Sequence, residues 1–474
     1  MHLVWFRQDL RVQDHSALFH ATSERETVAL VTLSPAQWKA HNESPAKLNL
    51  YLKQLKVLQE HLNLKNIPLH CIHTETWTDV PDAIYEFCKT YQITDLHFNA
   101  EVGVNEQTRD TKTAHTLSAL NIRVHEYQDR TIFPLGSIRN QSGQPYQVFS
   151  AFKKKCMEQL VIGQFSQPYP DIQTQQQPTL FEQLNTDLKR FEYLQSKQHQ
   201  QIDALWPSGE DHAQQQLNEF IEDGLEYYHL ERDLPHLHGT SQISTYLNLG
   251  ILSIRQCLAA LFAKSDQHVV LQHQGQEIWL NELLWREFYL HLMHDHPSLS
   301  KHQPFKQSTL NIPWRHAPED LIAWQSGQTG IPIVDAGMRQ MLATGWMHNR
   351  VRMICAMFLT KNLLIDWRLG ETWFMQNLID GDLSANNGGW QWCASTGTDS
   401  APYFRIFNPV SQSQKFDPEG EYIRKWVPEL AHLPAREIHN PYAKPTQTAF
   451  NYPRPIVDLK QSRLRAIETF KNYT

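Results

Sequence analysis

Short apolar runs alternate with helical segments over the first 130 residues, and no other feature of the sequence constrains the fold as strongly. The runs with strand character are HLVWFR, TVALVTL, IPLHCIHT, TDLHFNA and IRVHEYQ. Between two of them, residues 44–64 place leucines at helical spacing, which indicates a helix with one buried face. Strands that alternate with helices are typical of a parallel sheet. We therefore predict an α/β domain over residues 1–130.

The character of the chain changes after residue 130. From 131 to 204 the periodicity fades, and the glutamine- and proline-rich run QFSQPYPDIQTQQQPTL is typical of an interdomain connector. Residues 205–474 have helical periodicity with almost no strand alternation, which predicts an all-α C-terminal domain. That half also carries 11 of the 14 tryptophans, which favours a role in handling aromatic ligands.

Composition narrows the class of protein. The chain has no apolar run long enough to span a bilayer, and its first residues lack the features of a signal peptide. The six cysteines are scattered and form no CxxC pair, so we predict reduced thiols and a cytoplasmic protein. A net charge of −7 argues against a surface that is basic throughout, although a local basic patch remains compatible with DNA binding.

Two stretches have the composition of ligand-binding turns. In GTSQISTYLNLG, Thr240, Ser241 and Ser244 place three hydroxyls at a predicted helix start, where free N–H groups can bind a phosphate. An ordinary capped helix start explains the same residues. In IDGDLSANNGGWQWCASTGTD, Asp380 and Asp382 suit the donors of a ribityl chain or a flavin ring.

The segment WLNELLWREFYLHL places aromatic and charged residues on one helix face. Trp279, Glu282, Trp285, Arg286 and Tyr289 fall at spacings of three and four. Such a stripe is more often part of a core, but a core seldom holds a glutamate and an arginine among its rings. A face of this composition can stack on bases and bond to their edges.

The segment TGWMHNRVRM combines one ring, one amide and two cations. Arg350 and Arg352 are candidate phosphate ligands, and a solvated basic turn is an equally open reading. We predict no metal site, because His291, His294 and His296 lie close together without an HExxH motif or cysteine partners.

Taken in order, these stretches resemble the photolyase and cryptochrome family, and within it the bacterial class I cyclobutane pyrimidine dimer photolyases. The resemblance runs from VWFRQDLR through WLNELLWREFY, TGWMHNR and IDGDLSANNGGWQWCASTGTD to PYFRIFNP. It implies a dinucleotide-binding-like α/β domain that is joined by a long connector to an all-α domain holding FAD. It also implies light-driven repair of pyrimidine dimers in DNA by electron transfer from reduced FAD to a flipped-out lesion.

The resemblance assigns site residues position by position. The FAD-binding positions match Tyr228, Thr240, Ser241, Gln242, Ile243, Ser244, Arg286, Asp380, Gly381, Asp382 and Asn386. The positions that contact DNA or the lesion match Glu282, Trp285, Arg286, Tyr289, Asn349, Arg350, Met353, Trp392 and Gln412. A tryptophan electron relay maps onto Trp390, Trp367 and Trp314. An antenna site for 5,10-methenyltetrahydrofolate maps onto His41, Asn105, Glu106 and Lys301. The implied partner is DNA containing pyrimidine dimers, bound by a monomer.

Three other functions are alternatives to the repair of cyclobutane pyrimidine dimers. A cryptochrome without repair activity is disfavoured by Asn386, by the Glu282 and Trp285 pair and by the short tail ETFKNYT. A (6-4) photolyase is disfavoured because that branch has a histidine pair where this chain has WMHNR. An electron-transfer flavoprotein without DNA binding is disfavoured because it gives no role to Arg350, Arg352 and Trp392.

Overall fold

A computed structural model of the chain describes residues 1–160, 165, 167–263, 271–443 and 451–473. Within these residues, one parallel sheet has the strand order β3-β2-β1-β4-β5. Its strands are β1 (His2–Phe6), β2 (Thr27–Leu33), β3 (Leu69–His73), β4 (Asp95–Asn99) and β5 (Arg123–Tyr127). All five predicted runs form strands, and the α/β fold class of the N-terminal domain is confirmed.

Helices cover both faces of this sheet, as parallel strands require. The helices between and after the strands are α1 (Ser16–Glu24), α2 (Pro35–Ala40), α3 (Pro45–Leu64), α4 (Val80–Thr90) and α5 (Val104–Ser118). On one face, Leu3, Leu30 and Leu96 form a buried apolar core with Ile84 of α4 and Leu117 of α5. The predicted helix over residues 44–64 corresponds to α3, which begins after Ser44 because the Ser44 hydroxyl accepts from the Lys47 N–H.

The described chain beyond β5 consists of helices, turns and irregular segments. Its α-helices up to residue 295 are α6 (Phe149–Gln159), α7 (Phe181–Leu184), α8 (Gln200–Leu205), α9 (Glu210–Glu219), α10 (Tyr228–Glu231), α11 (Ser244–Asn248), α12 (Ile254–Phe262) and α13 (Gln274–Asp295). The later α-helices are α14 (Pro318–Gln325), α15 (Pro332–Thr344), α16 (Asn349–Met357), α17 (Trp367–Asn377), α18 (Leu383–Ala394), α19 (Pro409–Phe416), α20 (Glu421–Trp426), α21 (Ala435–Ile438) and α22 (Leu459–Lys471). The prediction of an all-α C-terminal part is confirmed.

The described residues group into two compact units. The first unit comprises residues 1–146, 150–225 and 241–297, and the second comprises residues 147–149, 226–240 and 298–474. The sequence-based division into 1–130, 131–204 and 205–474 rests on composition and stays a prediction. Parts of its last two segments lie outside the described residues.

The structure refines the reading of two stretches in the second unit. The helical run NRVRMICAMFLTKNLLIDW is divided, because α16 passes into a π-helical turn at Phe358–Asn362, and Leu364 then has a φ of +53°. The stretch rich in small and polar residues that follows Ile379 forms helix α18. Its start is defined by Asp382, whose carboxylate accepts from the Ala385 N–H at 2.9 Å.

Within the described ranges, none of the helices combines the length and the apolar character that crossing a bilayer requires.

Candidate functional site

The acidic turn before α18 holds a buried carboxylate that is fixed by an arginine. Asp380 is 8% exposed. Its two carboxylate oxygens accept from Nη2 of Arg352 at 3.0 and 2.9 Å, and Arg352 also donates from Nε to the Met347 carbonyl at 2.7 Å. Arg352 is therefore held by a carboxylate and a carbonyl, which argues against the reading of a solvated basic turn for this residue.

A hydrogen-bonded network continues along α18. The side-chain amide of Asn386 donates to the Glu371 carbonyl at 3.0 Å, and Asn387 donates to the Glu371 carboxylate at 2.8 Å. The same carboxylate is 2.7 Å from Nδ1 of His302, and that hydrogen bond raises the pKa of His302. Glu371 thus links Asn386 to α17 and to His302, and the sequence analysis missed it because its spacing from Asp380 matches no short motif.

The residues at the start of α18 are chemically suited to a flavin. Asp380, Asp382 and Asn386 offer carboxylate and amide groups that match the donors and acceptors of the ring and ribityl chain. In addition, the Ser384 hydroxyl is buried and has no hydrogen-bond partner among the described residues. A buried hydroxyl of this kind is costly unless a partner satisfies it, so the donor set fits FAD.

The other predicted flavin positions are divided between the two units. In the second unit, Tyr228 begins α10 and is buried, with the guanidinium of Arg232 5.4 Å from its ring centre. In the first unit, α11 begins at Ser244, within the stretch where a helix start is predicted, but it is only five residues long, and its N-cap residue Ile243 makes no side-chain cap bond. Gln242 immediately before it adopts a φ of +51°.

Helix α13 presents the predicted aromatic and charged face in the first unit. Glu282, Trp285, Arg286 and Tyr289 are all partly exposed, and the Trp285 and Tyr289 rings lie 5.6 Å apart. Arg286 donates from Nη1 to the Arg130 carbonyl at 2.7 Å. The four side chains therefore share one face of α13, while Trp279 at the start of the stripe is buried.

A buried carboxylate on the opposite side of α13 escaped the sequence analysis. Glu287 is 0% exposed and accepts from the N–H groups of Ile132 and Phe133 at 2.9 and 3.0 Å. It also lies 3.2 Å from Nε2 of His291, so this histidine already has a protein partner. The i,i+4 spacing of Glu287 and His291 is visible in the sequence, but it does not identify the Ile132 and Phe133 N–H groups.

The start of α16 brings three predicted lesion-contacting residues together in the second unit. Asn349 is exposed, and Arg350 and Met353 are partly exposed. Arg350 donates to Asp233 at 2.8 Å and lies over the Phe416 ring at 4.5 Å. Asp233 and Phe416 position this guanidinium, and sequence spacing could not identify either, because both are more than 60 residues away.

The remaining DNA-contacting candidates lie on two other helices of the second unit. Trp392 on α18 and Gln412 on α19 are both partly exposed.

Two of the three predicted relay tryptophans lie inside the main apolar core of the second unit. Trp390 and Trp367 are 2% and 1% exposed, and Trp314 packs against the same core while remaining partly exposed. The Trp390 ring lies 4.9 Å from that of Phe374 and 6.0 Å from that of Trp324. The structure thus places two rings in the core and one at its border.

Three of the four predicted antenna residues meet in the first unit. Asn105 donates to Nε2 of His41 at 2.9 Å, and Nδ1 of His41 lies 3.9 Å from a carboxylate oxygen of Glu106. The His41 ring also contacts the Trp77 ring edge-on at 4.7 Å. Lys301, the fourth residue, belongs to the second unit and is exposed.

Two side chains of this cluster, Glu106 and His41, have shifted pKa values. Burial and the nearby carboxylate of Glu101 raise the pKa of Glu106 to about 7, and burial lowers the pKa of His41. Both shifts favour the neutral forms. Gly103, whose φ is +112°, lies against the Glu106 carboxylate with no room for a Cβ atom. The cluster is therefore a compact, nearly neutral set of hydrogen-bonding groups.

Comparison with known proteins relates both parts of the chain to one family. Residues 2–173 match the family described as DNA photolyase, and residues 279–472 match the FAD binding domain of DNA photolyase. The chain is 43% identical to the deoxyribodipyrimidine photo-lyase of Escherichia coli over 99% of this chain and 98% of that protein.

Two solved structures share the fold. A bacterial class III photolyase from Agrobacterium tumefaciens is 29% identical, with a TM-score of 0.87 over 99% of this chain and 97% of that one. A cryptochrome from Synechocystis is 27% identical, with a TM-score of 0.84 over 99% of each chain. The photolyase and cryptochrome branches therefore share this architecture, and the higher sequence identity is to a protein named as a photo-lyase. With both family domains present in order, the chain belongs to the DNA photolyase family.

Proposed function

We propose that this protein is a class I deoxyribodipyrimidine photo-lyase that repairs cyclobutane pyrimidine dimers in DNA with light and FAD. The observation that carries the proposal is the match over 99% of the chain to a relative of that name at 43% identity. The flavin-suited groups at the start of α18 and the aromatic and charged face of α13 support it.

When reduced and photoexcited, FAD supplies the electron that opens the cyclobutane ring. The protein holds it with Asp380, Gly381, Asp382 and Asn386 of the second unit, where Arg352 fixes the Asp380 carboxylate through two hydrogen bonds. Tyr228, the 240–244 segment and Arg286 are the further ligands that we assign to it. Because Nη2 of Arg352 donates to both oxygens of the Asp380 carboxylate, it restricts the orientation of that group, and Arg352 acts as a positioning residue.

The lesion is held by ring and hydrogen-bonding groups. We assign Trp285 and Trp392 to stacking on the extruded pyrimidines, since an exposed ring face can replace the neighbouring bases of the duplex. Glu282 bonds to the edge of the lesion, and Arg350 and Asn349 bind the adjacent backbone. Tyr289, Met353 and Gln412 complete the contact surface.

The decisive experiment is an irradiated assay on DNA that carries a thymine dimer. Wild-type protein with reduced flavin restores thymines in the light and leaves the dimer unchanged in the dark. Glu282→Ala removes a hydrogen bond worth roughly 1–3 kcal/mol and lowers repair efficiency about 5- to 150-fold, with a smaller effect on undamaged duplex.

The matched control is Glu277→Ala, at the start of α13, because Glu277 is exposed and is not assigned to the lesion. A protein that binds flavin and responds to light but leaves the dimer intact is a cryptochrome-type photoreceptor, and that result refutes the proposal.

We further propose that 5,10-methenyltetrahydrofolate binds as an antenna at His41, Asn105, Glu106 and Lys301. The hydrogen-bonded, nearly neutral cluster of the first three residues supports this choice. Glu106→Ala and Lys301→Ala then remove the near-ultraviolet absorbance of the antenna and leave flavin-only repair intact, whereas Glu75→Ala, at an exposed site of the same unit, retains both. An unchanged spectrum in both variants contradicts a folate at this site.

The protein is proposed to act as a monomer in the cytoplasm, on DNA. All six cysteines are free and buried, which suits a reducing compartment. Light scattering of the purified protein at micromolar concentration tests the monomer, and a dimer mass contradicts it.

A further inference from the structure

A buried polar cluster of His2, Asp95 and His97 in the first unit takes no part in the proposed repair reaction. It lies at the amino-terminal ends of β1 and β4, whereas Asn105 and Glu106 follow the carboxyl end of β4. His2, Asp95 and His97 are 1%, 1% and 2% exposed. Each offers one ligand atom, and these atoms lie within 4.8 Å of one another.

Strand register brings the three residues together. His2 of β1 pairs with Asp95 of β4, and Val4 pairs with His97. Because side chains alternate along a strand, Leu96 and Phe98 enter the apolar core on one face and Asp95 and His97 point to the other, which α1 covers. Interior strands of a parallel sheet are normally apolar on both faces, so a buried acid beside two imidazoles needs a compensating partner.

The hydrogen bond of His2 determines which of its ring nitrogens is available. Nδ1 lies 3.2 Å from the Ala21 carbonyl, which can only accept, so Nδ1 carries the proton. Nε2 faces Oδ2 of Asp95 at 3.3 Å, and burial lowers the pKa of His2. The neutral ring therefore turns a lone pair toward a carboxylate oxygen, and two acceptors in contact repel unless a cation lies between them.

His97 also has a buried ring nitrogen without a hydrogen-bond partner among the described residues. Its Nδ1 lies 3.0 Å from the Tyr127 hydroxyl, so the nitrogen in question is Nε2. Burial, together with His125 and His2, lowers the pKa of His97 to about 3. His97 is thus a neutral imidazole at neutral pH, which is the form that binds metal ions.

Neighbouring groups hold the carboxylate in place. Oδ1 of Asp95 accepts from Nε2 of His125 and from Nε of Arg123, each at 2.8 Å. Arg123 also reaches Oδ2, at 2.9 Å, but its side chain is 71% exposed and can withdraw into solvent. Hydrogen bonds to a ligating carboxylate from outside are typical of metal sites, where they orient the ligand.

We propose that Nε2 of His2, Oδ2 of Asp95 and a ring nitrogen of His97 form a binding site for a divalent first-row transition metal such as Zn²⁺, with water as a fourth ligand. Two imidazoles and one carboxylate are a common set for this class of ion, whereas Mg²⁺ and Ca²⁺ prefer oxygen ligands throughout. The site is independent of the repair reaction.

The test is equilibrium dialysis of the full-length, flavin-loaded protein against buffered Zn²⁺, followed by metal analysis. The wild type is expected to retain about one tightly bound Zn²⁺ per chain at this cluster. His97→Gln and Asp95→Asn should each weaken that binding at least about tenfold. His115→Gln is the matched control, because His115 is exposed on α5 of the same unit and outside the cluster. It should leave the binding unchanged.

Equal binding by the wild type and both cluster variants places the metal elsewhere and overturns the proposal, as does a wild type that retains no Zn²⁺. If the circular dichroism spectrum shows that a variant is unfolded, the metal position is determined in the wild-type protein instead. Anomalous scattering from Zn²⁺-soaked crystals must then show a peak between His2, Asp95 and His97, and a peak only at other residues refutes the site.

Discussion

At the scale of single residues, local environment changes what the same side chain does. Asp380 is buried and Glu106 is partly buried, and both acids lie near cations, yet they differ in their partners. Two hydrogen bonds from Arg352 hold the Asp380 carboxylate, whereas Glu106 lies close to a second carboxylate, Glu101. The first arrangement suits an ionised group that positions a ligand, and the second favours a protonated group near neutral pH.

The raised pKa of Glu106 predicts a specific pH dependence of stability. The folded protein keeps a proton on Glu106 up to about pH 7, whereas the unfolded chain releases it near the ordinary value of 4.5. The unfolded state therefore binds fewer protons in this window, and stability falls as the pH rises through it. Glu106→Gln should remove this loss, a gain of roughly 3 kcal/mol at pH 8 relative to pH 4.5.

Urea unfolding of the first unit, followed at several pH values, measures the effect. Glu75→Gln is the control, since Glu75 is exposed in the same unit. Parallel pH profiles for the wild type and Glu106→Gln would show that Glu106 ionises normally in the folded protein.

A substitution of Trp390 distinguishes two electron-transfer reactions that we assign to the same flavin, its photoreduction and its donation of an electron to the dimer. It is 2% exposed in the core of the second unit, and the family relay places it first in line. Trp390→Phe should abolish photoreduction of oxidised flavin and leave dimer repair nearly normal after chemical reduction, because phenylalanine fills the site but is much harder to oxidise.

Transient absorption and a repair assay with pre-reduced protein make the two measurements. Trp426→Phe, which alters a partly buried ring packed on the same core, should leave both activities unchanged. Photoreduction that survives in Trp390→Phe assigns the relay to other residues, and failed repair by the reduced variant assigns Trp390 a structural role.

At the scale of elements, the packing of α17 against α18 positions the acidic turn and the relay together. Glu371 of α17 binds Asn387 of α18, and the Trp390 ring of α18 lies directly against Gly370 of α17. A Cβ at Gly370 would overlap the ring, with Cζ3 only 2.5 Å away. This close approach is possible only for glycine.

Gly370→Ala should therefore destabilise the second unit by roughly 1–3 kcal/mol through overpacking. The comparison is Gly389→Ala in α18, where an added Cβ has no atom within 4 Å, and which should be neutral or stabilise by up to about 1 kcal/mol because alanine favours a helix. Denaturant unfolding of the two variants measures both effects. Equal stability of the two variants would mean that the helices separate at little cost.

At the scale of the whole molecule, the negative net charge of the chain opposes its binding to DNA, which is also negatively charged. The chain carries a net charge of −7, so attraction to DNA depends on local groups such as Arg350. With about four phosphate contacts, affinity for dimer-containing DNA should fall on the order of a hundredfold between 50 and 200 mM salt.

Fluorescence anisotropy across a salt series measures the slope. Arg350→Ala should reduce the slope of log affinity against log salt concentration by about 1, because one phosphate contact is lost. Lys112→Ala, at an exposed site of α5, should leave the slope unchanged. Affinity that is insensitive to salt would exclude a binding mode based on phosphate contacts.

The sequence alone determined the order of elements, because hydrophobic periodicity is a local property. All five strands, helix α3 and the helical character of the second half follow from it, and the ordered motifs identified the family. It could not reveal partners distant along the chain, such as Asp233 for Arg350, the Ile132 N–H for Glu287 or Arg352 for Asp380. The sequence predicted no metal site, since only neighbouring histidines were visible to it. The three candidate ligands are separated by up to 95 residues, and only the parallel register of β1 and β4 brings His2 beside Asp95 and His97.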